Sequence, residues 1–311
     1  MSWYRFCLKE LSQWHNYANI AHGAEQPGKG GDNTGMAKQR KISLKVLGQR
    51  LERIYRAYNA RAYVDPDPLY FLYDYSHPMD REVVGLIAAS LAYGRVEMIM
   101  KTVGAVLEKM GPSPSRWLAE SSPASIEAAF SGFVYRFARG GHLSALLLGM
   151  KAVQEKWGSM ENCFVRGMAA RDKTILPGLV HLTRELDPEN RTGHLLADPS
   201  KASACKRSHL FLRWMVRCDP VDPGGWEQVD SAGLVIPLDT HMFKVGTFLD
   251  FTDKKSPGRT AALEISQGFR KISPRDPVKY DFALTRFGIR RNMDMDDLKR
   301  FLTQKNTELE L

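Results

Sequence analysis

The stretch that decides the fold is residues 82–94, EVVGLIAASLAYG. Apolar and small side chains fill nearly every position from Val83 to Tyr93, without the alternation of a half-buried strand. A helix that is apolar on all sides has to be buried among other elements. The stretch therefore predicts a central buried helix, and Asp80, just before it, is the expected N-cap.

Outward from this helix, apolar side chains recur at three- and four-residue spacing, most clearly at Leu47, Leu51 and Ile54 within residues 44–58. No run of Val, Ile and Thr is long enough for a strand of a sheet. We therefore predict an all-α fold. The other predicted helices cover residues 96–110, 123–129, 141–157, 160–170, 175–185, 204–217, 240–249, 260–272 and 277–287.

Composition and charge are those of an ordinary soluble protein. The 311 residues are 43% hydrophobic and 25% charged, and 44 basic against 35 acidic side chains give a net charge of +9. No apolar run approaches the roughly 20 residues of a membrane-spanning helix. We therefore expect no membrane partner. The four cysteines have no metal-ligand spacing, so we expect no metal and a reducing cytoplasmic location.

The first 42 residues differ from the rest, because residues 23–35 (GAEQPGKGGDNTG) are rich in Gly and polar groups. We predict a flexible extension over residues 1–42 and one helical core over residues 43–311. Residues 1–41 hold six basic and three acidic side chains, so +3 of the net charge belongs to the extension. The remaining +6 is a weak indication of a polyanionic partner.

The first chemical motif is residues 203–216, SACKRSHLFLRWMV. Ser203 is the expected N-cap, which puts Lys206 at the third helical position, where the helix dipole disfavours the ammonium form. Burial against a neighbouring apolar helix would disfavour it further. A neutral lysine amine is a nucleophile. The alternative is a lysine on a solvated helix face.

The second motif is residues 236–246, IPLDTHMFKVG. Asp239 or Thr240 is the expected N-cap of the following helix, and a carboxylate there stays ionised. The Asp239 carboxylate would suit the stabilisation of a developing cation. The alternative is that this residue is only an N-cap. A third segment, residues 276–288, carries Tyr280, Asp281 and Phe282, which either pack in the core or wall a pocket.

Residues 236–246 resemble the segment around the catalytic aspartate of the helix-hairpin-helix (HhH-GPD) DNA glycosylases, the endonuclease III and 8-oxoguanine glycosylase superfamily. A lysine precedes the aspartate there, at the start of the second hairpin helix, and Lys206 matches that role. The stretch from about residue 44 to residue 293 also resembles the bacterial DUF2400 family. The matching segments are 203–207 (SACKR), 211–217 (FLRWMVR), 236–241 (IPLDTH) and 280–284 (YDFAL).

The chain departs from the glycosylase pattern before the lysine, where residues 197–202 (ADPSKA) replace the Gly-x-Gly hairpin. Lys206 and Asp239 are 33 residues apart, a longer separation than in endonuclease III-like members. The arrangement is closer to the archaeal 8-oxoguanine glycosylase group, with its atypical, longer hairpin. No four-cysteine iron–sulfur loop follows the core, so we expect no cofactor.

The resemblance implies two helical lobes around a cleft, and a DNA glycosylase with AP lyase activity in base excision repair. Its partner would be duplex DNA containing a damaged base such as 8-oxoguanine, bound by a monomer in the nucleoid. The Lys206 amine would attack the sugar and Asp239 would stabilise its positive charge. The alternatives are a glycosylase for another base, a non-catalytic nucleic-acid-binding protein, or an enzyme acting on RNA or nucleosides.

For this mechanism, DNA contacts and a base pocket are expected from the residues around the pair. DNA phosphates would meet the N-terminus of the Lys206 helix and the side chains of Ser203, Arg207 and Lys201. Arg213 and Arg217 either extend this basic strip or pair with Asp219 and Asp222, and His241 either contacts phosphate or closes its turn. The residues expected to flank or read a flipped-out base are Leu210, Tyr280, Asp281 and Phe282.

Overall fold

The structure, a computed structural model, describes residues 42–289 and 293–303, and these are mostly helical, which confirms the predicted all-α class. The helices are α1 (Leu44–Tyr58), α2 (Pro78–Ser90), α3 (Val96–Met110), α4 (Pro114–Glu120), α5 (Pro123–Phe130), α6 (Gly140–Trp157), α7 (Met160–Arg166), α8 (Leu176–Leu186), α9 (Lys206–Val216), α10 (Thr240–Phe248), α11 (Arg259–Arg270), α12 (Asp281–Ile289) and α13 (Met295–Thr303). A two-residue turn joins strands β1 (Val134–Tyr135) and β2 (Ala138–Arg139), which pair antiparallel. The predicted extension lies outside the described residues, apart from Ile42.

Helix α2 is the predicted buried helix, but it begins five residues earlier than its apolar run. The N-cap is His77, whose ring nitrogen accepts a hydrogen bond from Met79 N, and Pro78 occupies the first helical position. The expectation that Asp80 caps the helix is therefore wrong. The Asp80 carboxylate instead accepts hydrogen bonds from Ser113 and Ser115, which ties α2 to the start of α4.

Helix α9 packs directly on α2. The contact is close at Gly85, where an added Cβ would lie 3.3 Å from the Phe211 ring. Glu82, on the same buried helix, accepts hydrogen bonds from Trp226 Nε1 (2.7 Å) and Met160 N (3.0 Å). Burial raises the pKa of Glu82 to about 7 despite these donors. The helix that carries Lys206 is thus seated on the most buried element of the fold.

The described helices form two groups by their contacts. In the α2–α8 group, α6 packs against α4, α5, α7 and α8, while α2 contacts α3 and α4. In the terminal group, α12 contacts α1, α10 and α13, and α11 contacts α10. The first helix of the core thus packs with the last ones, while α9 joins the first group through α2.

The predicted helix centres are confirmed more often than the predicted ends. Helices α1 and α3 match residues 44–58 and 96–110, whereas α4 and α13 were not predicted and α12 begins four residues later than expected. In the described part of the chain, every helix is too short or too polar to cross a membrane.

Candidate active site

The chain enters α9 through a left-handed residue rather than through a polar N-cap. Cys205 has a φ of 44°, and Lys206 is the first residue of the helix. The predicted N-cap, Ser203, instead accepts a hydrogen bond from Cys205 N (3.2 Å) within the preceding loop. Lys206 therefore lies two positions closer to the helix end than expected. A left-handed conformation at a non-glycine residue is costly, and such positions cluster at functional sites.

The loop before Lys206 is held by the start of α11. The backbone N–H of Arg259 donates to the carbonyl of Ala202 (2.9 Å), and its guanidinium donates to the carbonyl of Ser200 (2.8 Å). These contacts fix the loop before Lys206 at two successive points. No motif pointed to Arg259, because its partners are backbone carbonyls almost 60 residues away.

Asp239 is the N-cap of α10, which is one of the two residues predicted for this position. The chain reaches it through a buried extended segment, in which Ile236 N donates to Ser266 Oγ (2.9 Å) on α11. The Asp239 Oδ1 atom accepts a hydrogen bond from Met242 N (2.8 Å). This contact fixes the carboxylate at the positive end of the helix dipole and leaves Oδ2 free for a second interaction.

The second interaction is with Lys206, whose Nζ lies 3.3 Å from Asp239 Oδ2. The Lys206 side chain is 38% exposed and the Asp239 side chain 16% exposed, so both remain open to a ligand. The expected deep burial of the amine is not found. A partly exposed ion pair of this kind is worth about 1 kcal/mol or less, so a bound ligand can displace it at little cost.

Arg207 is not available to bind a DNA phosphate, which corrects that prediction. Its guanidinium donates to the carbonyls of Ser90 (2.7 Å) and His194 and lies over the Tyr93 ring, 5.1 Å from its centroid. Burial lowers the pKa of this side chain. Arg207 thus fastens the start of α9, immediately beside Lys206, to the end of α2.

Arg213 and Arg217 are buried in an ion-pair network, so the prediction that Arg213 contacts DNA is wrong and the alternative of local ion pairs is correct. Arg213 Nε lies 3.1 Å from Asp222, and Arg217 binds the other oxygen of the same carboxylate. Together the two guanidiniums contact four carboxylates, those of Asp219, Asp222, Asp276 and Asp281.

The carboxylates of this network differ in protonation tendency. Burial raises the pKa of Asp222, and it raises that of Asp281 to about 6 against the opposing effect of Arg213. The charge of Asp239 adds to the upward shift at Asp281, so these two carboxylates influence each other. The pKa of Asp219 is lowered, because Arg217 and two backbone N–H groups outweigh its burial.

The predicted base pocket is not assembled as expected. Phe282 is fully buried, with the guanidiniums of Arg213 and Arg286 near its ring, so it offers no open face to a base. Asp281 is buried and bound to Arg213, so it presents no free edge either. Both assignments are wrong.

Tyr280 faces a different part of the molecule. It lines a pocket of about 670 Å³ on α1, and its hydroxyl lies 3.5 Å from Glu52. Burial, with the Glu52 charge adding to it, raises the pKa of Tyr280 to about 12. The base-flanking role of Tyr280 is therefore also wrong. Leu210 is half-buried one turn after Lys206, and its role stays a prediction.

The remaining predicted contacts lie around the pair. Ser203 and Lys201 are exposed in the loop before α9, so their contact with phosphate stays a prediction. The His241 ring packs against Gly288 on α12, and its Nδ1 is buried without a hydrogen-bond partner among the described residues. The structure therefore favours the alternative in which His241 closes the turn after Asp239.

Comparison with known proteins supports the grouping of these motifs in one family. A family model described as a protein of unknown function, DUF2400, matches residues 67–290, well over half of the chain. No curated protein matches the sequence, and no solved structure does. The match spans both Lys206 and Asp239 and the network between the two helix groups. The chain therefore belongs to the DUF2400 family.

Proposed function

We propose that this protein is a DNA glycosylase with AP lyase activity, which removes a damaged base through a covalent lysine intermediate. The observation that carries the proposal is the Lys206–Asp239 pair, 3.3 Å apart although 33 residues separate the two in sequence. Each heads its own helix, and both stay accessible. A nucleophilic amine beside a fixed carboxylate is the combination that displacement at a sugar carbon requires.

The reaction begins when Lys206 Nζ, after losing its proton, attacks C1′ of a nucleotide turned out of the duplex. The new C1′–N bond forms as the glycosidic bond breaks, and the base leaves with the bonding electron pair and takes up a proton. Asp239 accepts or shares the lysine proton and offsets the positive charge that develops on the sugar. The C1′–O4′ bond then breaks, O4′ leaves with the bonding electron pair and takes up a proton, and C1′ becomes doubly bonded to the lysine nitrogen. This Schiff base allows loss of a C2′ proton and of the 3′ phosphate.

The surroundings support this use of the pair. Arg207, the residue after Lys206, binds a backbone carbonyl at the end of α2, and Arg259 binds one in the loop before Lys206, so the amine is carried by a well-anchored helix start. Asp239 is oriented by Met242 N, so its free oxygen has a defined direction. The exposed Ser203 and Lys201 lie beside the α9 N-terminus, where backbone N–H groups favour phosphate.

The proposal is tested by trapping the Schiff base with borohydride on duplexes carrying 8-oxoguanine, other oxidised or alkylated bases, or an abasic site. We expect a covalent protein–DNA adduct with the wild type and none with Lys206→Gln. Lys101→Gln, which changes an exposed lysine on α3, is the matched control and should still be trapped. The lesion that gives the most adduct identifies the substrate, and an absence of adduct with every duplex would contradict the proposal.

A further inference from the structure

The turn between β1 and β2 presents large side chains where small residues are favoured. Its two central residues are Arg136 and Phe137, and Arg136 has a φ of 51°. Two-residue hairpin turns with a positive φ at this position usually contain Gly or Asn. Phe137 is 64% exposed and its neighbour Val134 is 65% exposed. More than half of the Phe137 side chain is therefore left uncovered by the described residues.

Side-chain contacts lead from the tip of the hairpin to the residue next to Lys206. The Phe137 ring is 5.5 Å from the ring of His194, which is 4.7 Å from the ring of Tyr93. Arg207, the residue directly after Lys206 in α9, lies over the same tyrosine ring. An unbroken series of side-chain contacts thus connects the hairpin tip to the start of α9.

The base of the hairpin is anchored. The Tyr135 hydroxyl donates to the carbonyl of Tyr93, and the Tyr93 hydroxyl donates to the carbonyl of Tyr135 (3.2 Å). Next to them, Gly94 has a φ of 101°, and a Cβ there would lie 3.0 Å from an Arg136 nitrogen. The tip is therefore presented on a fixed support, which limits the entropy lost when it binds a partner.

The charge around the tip is positive. Arg95, Arg136 and Arg139 are exposed, and within the described residues none of them forms an ion pair, unlike the buried Arg213 and Arg217. The guanidinium of Arg139 also donates to the carbonyl of Arg136 (2.8 Å), but no carboxylate neutralises its charge within the described residues. Unneutralised guanidiniums beside an exposed aromatic ring suit a polyanion with flat apolar bases better than they suit a membrane or an acidic peptide.

We propose that the β1–β2 turn inserts Phe137 into a DNA duplex, in the space left by a nucleotide displaced toward Lys206. Arg136 holds an adjacent phosphate. The inference rests on the proposed function, because the displaced nucleotide is the one that Lys206 would attack. Apolar wedges that enter a base step unstack the duplex and stabilise its distorted form. The turn would therefore keep the substrate open while the chemistry proceeds.

The test uses binding alone, on a duplex carrying a tetrahydrofuran abasic analogue, which has no base to release. A 2-aminopurine beside the analogue reports unstacking by its fluorescence, and anisotropy gives the dissociation constant. We expect the wild type to bind with a rise in 2-aminopurine fluorescence. Phe137→Ala should bind roughly tenfold more weakly and lose the rise, since stacking on one aromatic ring contributes an effect of this order.

The matched control is Leu44→Ala, which shortens an exposed apolar side chain on α1. This variant should bind as the wild type does. Arg136→Gln should weaken binding and lower the slope of log affinity against log salt by about one. Equal binding and an equal fluorescence rise for Phe137→Ala would overturn the proposal, as would an absence of wild-type binding. If Phe137→Ala weakened binding to plain single strands as much as binding to the duplex, the duplex wedge would be overturned in favour of a single-strand-binding surface.

The two proposals fail in different ways. Lys206→Gln should retain the Phe137-dependent fluorescence rise, since the analogue requires no covalent step. A Phe137 effect without any Schiff-base adduct in the trapping experiment would leave the wedge in place and remove the chemistry. An adduct whose yield and binding do not depend on Phe137 would leave the enzyme in place and remove the wedge.

Discussion

At the residue scale, Asp239 performs two tasks with its two oxygens. Oδ1 caps α10 through Met242 N, and Oδ2 faces the Lys206 amine. The first task needs only a hydrogen-bond acceptor, whereas the second needs a negative charge. The two tasks can therefore be separated by substitution, because asparagine is as good an N-cap as aspartate but is neutral.

We expect Asp239→Asn to leave the free energy of unfolding nearly unchanged while borohydride trapping falls roughly 100-fold, because the developing positive charge loses its counter-charge. Asp239→Ala should lose the same trapping and also about 1 kcal/mol of stability, since the cap is gone. Urea unfolding and single-turnover trapping provide the two measurements. If Asp239→Asn were trapped as efficiently as the wild type, the carboxylate would be only a cap.

At the element scale, the position of Asp239 depends on how closely α10 approaches α12. The His241 ring lies against Gly288, so that a side chain at position 288 has no room. His241 follows Asp239 by two residues, which means that any displacement of the ring also displaces the carboxylate. Glycine is used here for close approach, since its helical backbone requires no positive φ.

We expect Gly288→Ala to lower the free energy of unfolding by about 2 kcal/mol, the usual cost of overpacking, and to reduce trapping through the shift of Asp239. Gly141→Ala in α6 is the matched control, because a Cβ there meets no atom within 4 Å. The control should be neutral or slightly more stable, as alanine is the better helix former. Equal stability for the two variants would show that α10 and α12 adjust without strain.

The elements also show what the sequence could predict. Apolar periodicity located α1, α3 and α9, and the Asp239 cap followed from its place before an apolar helix. The start of α9 was misplaced because Ser203 has the chemistry of an N-cap, while the left-handed Cys205 carries no signal in a single sequence. Local spacing likewise indicated Asp219 and Asp222 as partners of the arginines.

The longer-range partners had no such signal. Asp281 is 68 residues from Arg213, and Arg259 is 59 residues from Ser200, so only the folded chain brings these groups together. For the same reason Phe282 and Tyr280 were expected to wall a base pocket, whereas Phe282 is buried in the core and Tyr280 lines a pocket on α1. Aromatic residues on a helix are equally compatible with a core and with a pocket until the neighbouring elements are known.

At the scale of the whole molecule, α9 connects the two helix groups. Its apolar side packs on α2, and its arginines bind Asp276 and Asp281 at the entrance to α12. Asp219, in the same network, also accepts hydrogen bonds from Tyr55 and Asn59 around the end of α1. The relative placement of Lys206 and Asp239 therefore depends on buried ionic contacts between the groups.

Asp222 is the centre of this network, because it binds both Arg213 and Arg217. We expect Asp222→Asn to lower the free energy of unfolding by about 3 kcal/mol or more, since removal of one member leaves buried charge without compensation. Arg116→Gln, in an exposed ion pair with Glu120, is the control and should unfold like the wild type.

The wild type, Asp222→Asn and Arg116→Gln are compared by urea unfolding without added salt. Each unfolding transition is followed by both far-ultraviolet circular dichroism and tryptophan fluorescence. The wild type should show coincident transitions. Asp222→Asn should separate them, because circular dichroism follows the helices while the fluorescence of the six tryptophans, which include Trp214 on α9 between the two groups, follows side-chain packing. Trapping by Lys206 should fall in the variant as the groups lose their fixed relation. A loss of stability no larger than that of Arg116→Gln would mean that apolar packing alone joins the groups, and Asp222 would then only compensate the charge of its two arginines.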